Sequence, residues 1–284
     1  MKLARIPAGK FKMGSTKKEQ DDAIAAFEKL YGRKASNSES AFYRVEGPPH
    51  QVEITNPFWL GIHEVTQGQF EKVMGYNPSY FSQDGKGRTG VKYEDAGKPA
   101  GGMDKVPADA GGYPVENVAW EEAEEFCQKL TKNEGNGRLY RLPTEAEWEY
   151  SCRGAADSAT RFHFGDSLSP TQANFDGNYP HGAAAGKYRE CTCKVGSYEQ
   201  NAFGLFDMHG NVWEWCADWY ESDDYAKSPH RDPAGATDGS MKVYRGGSWY
   251  DTAQNCRSAF RGRNPPGHRN NNRGFRVALV PSGK

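Results

Sequence analysis

The side chains able to do covalent or metal chemistry are few and scattered. Six cysteines, Cys127, Cys152, Cys191, Cys193, Cys216 and Cys256, form no CxxC pair, which argues against a zinc ribbon or a thioredoxin-like motif. Cys191 and Cys193 are the near pair, yet no histidine or second pair of thiols lies close to them, so they read as surface or core thiols. The richest stretch is residues 250–273, YDTAQNCRSAFRGRNPPGHRNNNR. Its Asn, Arg, Gly and aromatic residues build regular structure poorly and present side chains well. From Met241 onward nine Lys or Arg face one acid, Asp251, leaving about −9 on the rest of a chain whose net charge is −1. An acidic ligand is one partner for that segment. The segment is also apolar enough to enter a core, where arginines need carboxylates, so most of them are expected to pair with acids of the earlier helices.

The elements that must position these groups are short. With 33 Gly, 16 Pro, 14 Phe, 15 Tyr and 7 Trp among 284 residues, of which 36% are hydrophobic, composition points to a loop-rich fold around an aromatic core and away from a helical bundle. No window approaches the roughly 18 apolar residues of a membrane helix, and the start, Met1 to Gly14, lacks the apolar centre of a signal peptide, so a cytoplasmic protein with no membrane partner is expected. Residues 6–14 alternate around a glycine turn and predict a hairpin arm. A helix near residues 21–31, strands at 52–55 and 58–62, and a helix from the capping box Thr66-Gln67-Gly68-Gln69 to about Gly75 follow. Residues 83–112 read as a surface excursion. Asn117 is a candidate N-cap for a second long helix whose face is Ala119, Ala123, Phe126, Cys127 and Leu130, and Thr144-Glu145-Ala146-Glu147 caps a third. Beyond Arg153 only brief strands are expected, at 204–206, 212–215 and 274–278.

Seven segments taken together resemble the formylglycine-generating-enzyme (sulfatase-modifying factor) family: IPAGKFKMG at 6–14, GIHEVTQGQF at 61–70, PVENVAWEEAEEF at 114–126, RLPTEAEWEY at 141–150, GLFDMHGNVWEWCADWY at 204–220, RGGSW at 245–249 and GFRVA at 274–278. The resemblance runs from one end of the chain to the other and leaves out residues 15–45 and 83–112. It implies one domain over residues 1–284, an α+β fold of the C-type-lectin-like type with about three helices, many short strands and little regular structure.

The family's best-known members bind copper through two cysteines and oxidise a sulfatase cysteine to formylglycine. Carried over by position, that pair falls on Asp251 and Cys256, so the first thiol is replaced by a carboxylate. Two thiolates select soft Cu(I), whereas one thiolate with a hard carboxylate does not, so copper is not expected here. Trp213 and Ser248 match residues lining the family's oxygen pocket, although packing and scaffold hydrogen bonds would retain them equally well. A structural Ca²⁺ site is implied at the side chains of Asp207 and Glu214 and the carbonyls of Gly210 and Val212, a hard donor set; the plainer alternative is that Glu214 pairs with an arginine of the tail. A second site would begin at Asn174 and the carbonyl of Phe175, but its acid falls near Lys187. Some relatives are iron enzymes with an HxxxHxE pattern, a spacing that none of His50, His63, His163, His181, His209, His230 and His268 has.

Residues 250–273 are also similar to the Asn-rich variable segment of lectin-like display proteins diversified by bacterial retroelements. On that view Tyr250, Asp251, Phe260, Gly262, Asn264, Gly267, His268 and Asn270 are exposed binding positions for a protein or small-molecule ligand, not a nucleic acid, with Tyr and Asn supplying contact area and adaptable hydrogen bonds. Three readings stay open: a noncatalytic ligand-display protein, a metal-dependent oxidase or oxygenase acting through Cys256, and a structural module of a larger assembly.

Overall fold

The computed structural model describes residues 1–82, 109–135, 137–154 and 160–281. Most of the expected excursion at 83–112 lies outside them. The N-terminal arm does not close on itself as a hairpin. Strand β1 (Leu3–Ile6) pairs antiparallel with β4 (Phe58–Gly61), whereas β2 (Gly9–Met13) pairs with β3 (His50–Ile54). Pro7 between them has no amide to give to a tight hairpin ladder, and each strand buries its apolar residues, Ile6 of β1 and Phe11 and Met13 of β2, in the same core.

Later strands complete two four-stranded sheets: β5 (Arg138–Arg141), β6 (Trp213–Trp219), β7 (Lys242–Arg245), β8 (Gly262–Asn264), β9 (Arg273–Gly274) and β10 (Ala278–Pro281). Their orders are β1-β4-β10-β5 and β8-β7-β6-β9, with β6 and β9 parallel. The second sheet carries residues 242–274 and thus the C-terminal loops. Two aromatic cores flank the sheets, one around Phe11, Phe58, Trp148 and Tyr150, the other around Phe70, Phe126, Trp215 and Phe275.

Six α-helices are present among the described residues. α1 (Lys17–Tyr31) near residues 21–31, α3 (Gln67–Met74), α4 (Trp120–Glu134) and α5 (Glu145–Arg153) are the expected ones, and the boxes at Thr66 and Thr144 form as anticipated. α4 starts two residues later than expected: Ala119 is its N-cap, while Asn117 sits in the left-handed region at φ 63° and gives its amide to the Pro78 carbonyl at 2.9 Å. α1 and α2 (Asn37–Arg44) open on capping boxes of their own, Thr16 with Glu19 and Ser36 with Glu39. Those S/T-x-x-E signals stand in the sequence; the one at Thr16 places the start of α1 ahead of residue 21, and the one at Ser36 would have found α2. α6 (Asp224–Lys227) is a single turn, too short to leave a periodic signal, and residues 204–206 form no strand.

Most arginines of the tail do enter the core, and all but one of these meet acids there. Glu145 accepts from Arg245 Nη1 at 2.8 Å and from Arg261 Nε and Nη2 at 2.7 Å each, Glu149 accepts from Arg245 and from Arg153, and Glu46 takes both terminal nitrogens of Arg257 at 2.7 and 2.6 Å. α5 is buried along its whole length, so Glu145 and Glu149 can serve as counterions for β7 and the loop after it, while its third acid, Glu147, pairs with Arg141.

Not every buried acid is matched this way. Glu116 is fully buried, accepts from the Phe81 amide at 2.8 Å, and leaves its other oxygen without a partner; burial pushes its carboxyl up to about 8. Asp218, accepting from the Glu145 amide at 2.7 Å, is likewise raised to about 8, by burial first and then by Glu145. A folded-state value above the unfolded one means the native state holds the extra proton, so this stabilisation is complete below about pH 4 and is lost as pH rises through 8. The urea midpoint is therefore expected to fall between pH 6 and 9, and Glu116→Gln to flatten that fall. A midpoint with the same pH slope in wild type and variant would show that Glu116 does not titrate there.

Candidate functional site

The chain leaves β7 through Gly246 and Gly247, both at positive φ, turns at Ser248, and after Asp251 forms a short 3-10 turn over Ala253–Cys256. Gly247 is required twice over. Its φ is 77°, and a Cβ there would lie 2.4 Å from Cys256 Sγ, so the thiol is packed against bare backbone.

Asp251 is held on several sides. Ser248 Oγ donates to Oδ2, Asn255 Nδ2 donates to Oδ1 at 3.1 Å, and Trp213 adds a third side-chain hydrogen bond. Its carbonyl accepts from the Asp176 amide at 2.8 Å. Burial raises the carboxyl, and the Ser248, Asn255 and Trp213 hydrogen bonds oppose that rise. Asn272 Nδ2 closes the set by donating to Ser248 Oγ at 3.2 Å. The carboxylate thus ties the turn after β7 to β6, a structural task for a group at the position of the first thiol.

Cys256 is fully buried, and burial, then the nearby Asp251 charge, push its thiol well above the usual range. A thiol so protonated is a poor nucleophile and metal ligand. It packs with Phe162, Leu168, Ala173 and Phe175, while Cys216 belongs to the core around Trp148. Cys152 lies 3.8 Å from His209 Nε2 and 3.5 Å from Ser258 Oγ, also buried, and its thiol is pushed up to about 12. All six cysteines are buried and none is in a disulfide, and among the described residues no three His, Cys, Asp or Glu side chains converge as a metal site.

The expected binding positions separate into two groups. Tyr250 is 53% exposed, Gly267 is exposed, and Asp251, Asn264, His268 and Asn270 are partly so. Phe260 and Gly262, expected at the surface, are buried. Phe260 packs on Trp213 and Tyr43, with ring centroids 5.7 and 5.8 Å away, and a Cβ on Gly262 would collide with the Tyr244 ring at 1.9 Å. Both are scaffold. Trp213 and Ser248 are buried next to Asp251.

The proposed calcium ligands are partly engaged. Glu214 gives both oxygens to Arg276, at 2.6 Å each, and one of them also accepts from Trp148 Nε1 at 2.7 Å. Asp207 accepts from the Gly196 amide at 2.6 Å, while its other oxygen is buried without a partner; burial lifts its carboxyl to about 6. Facing it is Glu64, which the motif GIHEVT contains but which sequence reasoning passed over. Glu64 is fully buried, accepts from Asn211 Nδ2 at 3.1 Å, and has one oxygen unpartnered; burial, then the Asp207 and Glu214 charges, raise its carboxyl well above normal. Asn174 is buried with its amide oxygen unpartnered and its nitrogen given to the Cys191 carbonyl at 3.0 Å. Lys187, where the second site would need an acid, is exposed.

A family model described as the sulfatase-modifying factor enzyme 1-like domain matches residues 2–280. A formylglycine-generating enzyme of Streptomyces coelicolor is 39% identical over 173 residues, 58% of this chain and 52% of that protein. The first curated relatives are longer than the stretch they share with this chain, which spans about a third to a half of their length. Among solved structures, Treponema denticola variable protein 1 is 26% identical with a TM-score of 0.68, covering 97% of this chain and 94% of that one. PvdO from Pseudomonas aeruginosa is 28% identical with a TM-score of 0.70, covering 98% and 93%.

Proposed function

Because the chain belongs to the sulfatase-modifying factor enzyme 1-like (formylglycine-generating-enzyme) family and has its α+β, C-type-lectin-like fold, we propose that it is a noncatalytic member that binds a protein or small-molecule ligand through its C-terminal loops. The carrying observation is Asp251. It stands where the family has its first reactive thiol, and its oxygens are occupied by Ser248, Asn255 and Trp213. One sealed thiol and one engaged carboxylate do not make the two-sulfur grip that soft Cu(I) needs. The exposed Tyr250, Gly267 and the partly exposed Asn264, His268 and Asn270 form the ligand face. Similarity to a variable protein supports reading residues 250–273 as a segment open to diversification. A reverse-transcriptase gene beside the coding DNA, with a near-copy of the sequence for that segment, would bear this out. No described helix is long and apolar enough to cross a membrane.

Retention of Cys256, Trp213 and Ser248 around Asp251 favours a second reading, an oxidase or oxygenase acting through Cys256. The Cys256→Ala variant separates the two. Loss of a turnover seen in the wild type would establish the enzyme, whereas a binding protein keeps its ligand because Cys256 does not reach the surface.

We further propose a structural Ca²⁺ at Asp207. The unpartnered, buried oxygens of Asp207 and of Glu64 fit a hard cation, with the carbonyls of Gly210 and Val212 as neutral donors; Glu214 joins only by exchanging Arg276. A cation held by the native state alone stabilises it by roughly 3 kcal/mol at a hundredfold excess over Kd, or about 5–10 °C in Tm for a domain of this size. Chelation is expected to lower Tm by that amount, and Asp207→Asn to abolish the effect. An unchanged melting curve with no bound metal by elemental analysis would remove the ion.

A further inference from the structure

Six arginines are buried among the described residues: Arg153, Arg245, Arg257, Arg261, Arg273 and Arg276. Five have a carboxylate within salt-bridge distance, from Glu149, Glu145, Glu46 or Glu214. Arg273, 3% exposed, has none. Its guanidinium lies over Tyr244, 4.0 Å from the ring centroid, and over Trp215 at 4.9 Å. Nη1 contacts His268 Nδ1 at 2.8 Å; Asn264, with its amide oxygen turned inward, accepts from Nη1 at 2.8 Å and Nη2 at 3.1 Å; Nε has no partner. Asp251 acts on it only through space and is itself committed to Ser248, Asn255 and Trp213.

This placement is not a product of slack. Arg273 is carried by β9, whose next residue, Gly274, runs so close to Val115 that a Cβ would meet its carbonyl at 2.2 Å. The Asn272 carbonyl accepts from the Trp213 amide at 2.8 Å. A pinned strand therefore presents a buried cation to two neutral acceptors, and both stand on the ligand face. His268 belongs to a turn closed by its amide on the Pro265 carbonyl at 3.0 Å, beside exposed Gly267, around which an added Cβ would meet open space. A buried charge without a counterion is costly. Ring faces and neutral acceptors compensate in part, but an oxyanion adds the opposite charge and the two-toothed geometry that neither neutral acceptor supplies.

We propose that Arg273 is the anchor of an oxyanion-binding site, at which a carboxylate or phosphate group of the ligand enters beneath the 265–268 turn and takes the guanidinium fork from His268 and Asn264. The proposal rests on the reading of these loops as a ligand face, and adds the chemical class that face selects.

The test is thermal melting and calorimetric titration of the intact protein with sodium acetate or sodium phosphate, against sodium chloride at equal ionic strength and pH. A saturable rise in Tm with either oxyanion is expected, and which of the two gives it identifies the group. Arg273→Gln should lose it. Asn264→Ala, which frees the fork, should tighten it by about threefold to tenfold. If Arg273→Gln fails to fold, the comparison of wild type with Asn264→Ala still decides. No saturable oxyanion effect in either protein, or the same effect in Arg273→Gln, would reduce Arg273 to a strut between Trp215 and Tyr244 and overturn the proposal. Neither outcome depends on whether the protein turns over a substrate, which is read separately.

Discussion

Glu145→Ala is expected to cost the protein about 3–5 kcal/mol, a loss of roughly 10 °C in Tm. Glu145 is the shared counterion of Arg245 and Arg261, both fully buried. Removing it leaves two guanidiniums in the core, Arg245 with Glu149 and Arg261 with only the more distant carboxylate of Asp224 at 3.7 Å. The penalty is that of stranding charge, which exceeds anything the pair adds over an apolar substitute. Since a domain's whole stability is on the order of 5–15 kcal/mol, the variant stands near the edge of folding. Lys18→Ala is the contrast. Its ion pair with Asp22 is exposed, 82% on the lysine side, and its loss should fall within about 0.5 kcal/mol. Urea unfolding followed by tryptophan fluorescence reads both. Equal midpoints for the two variants would show that the internal ion pairs are not what fastens the C-terminal segment to α5.

Asp251→Cys is expected to raise the affinity for Cu(I) by orders of magnitude. The change restores sulfur at the first family position beside Cys256, and two thiolates suit a soft monovalent ion where a carboxylate does not. Asp251 and Cys256 are close enough for the charge of one to act on the other. The cost is that Ser248, Asn255 and Trp213 lose their acceptor, so the variant should also melt a few degrees lower. Asp251→Asn keeps the oxygen and should gain no copper affinity. Anaerobic competition with a chromophoric Cu(I) chelator measures this, and identical affinities in wild type and Asp251→Cys would mean that the thiol sealed against Gly247 cannot reach a metal.

Much of the framework could be read from the residues because the signals were local. Thr66 with Gln69 and Thr144 with Glu147 form the helix starts their spacing dictates, and most of the buried arginines after residue 241 meet acids, in α5, at Glu46 and at Glu214, as the charge imbalance suggested. The hairpin at 6–14 failed because alternation marks a strand without naming its partner, and both partners lie beyond residue 49. The surface assignment of Phe260 and Gly262 failed for a similar reason. A polar, glycine-rich run looks exposed, yet the ring of Tyr244 covers one and Trp213 packs on the other. The roles of Glu64 and Arg273 are invisible in one dimension, since each is defined by what does not face it: a donor for one, a carboxylate for the other.

Whether Asp251 has ended two-thiol oxidation is settled most directly by incubating the copper-loaded wild-type protein with a cysteine-containing sulfatase-type peptide and oxygen, and following the peptide by mass spectrometry. No conversion of the cysteine to the aldehyde above a protein-free control is predicted. Catalytic conversion that disappears in Cys256→Ala would contradict it.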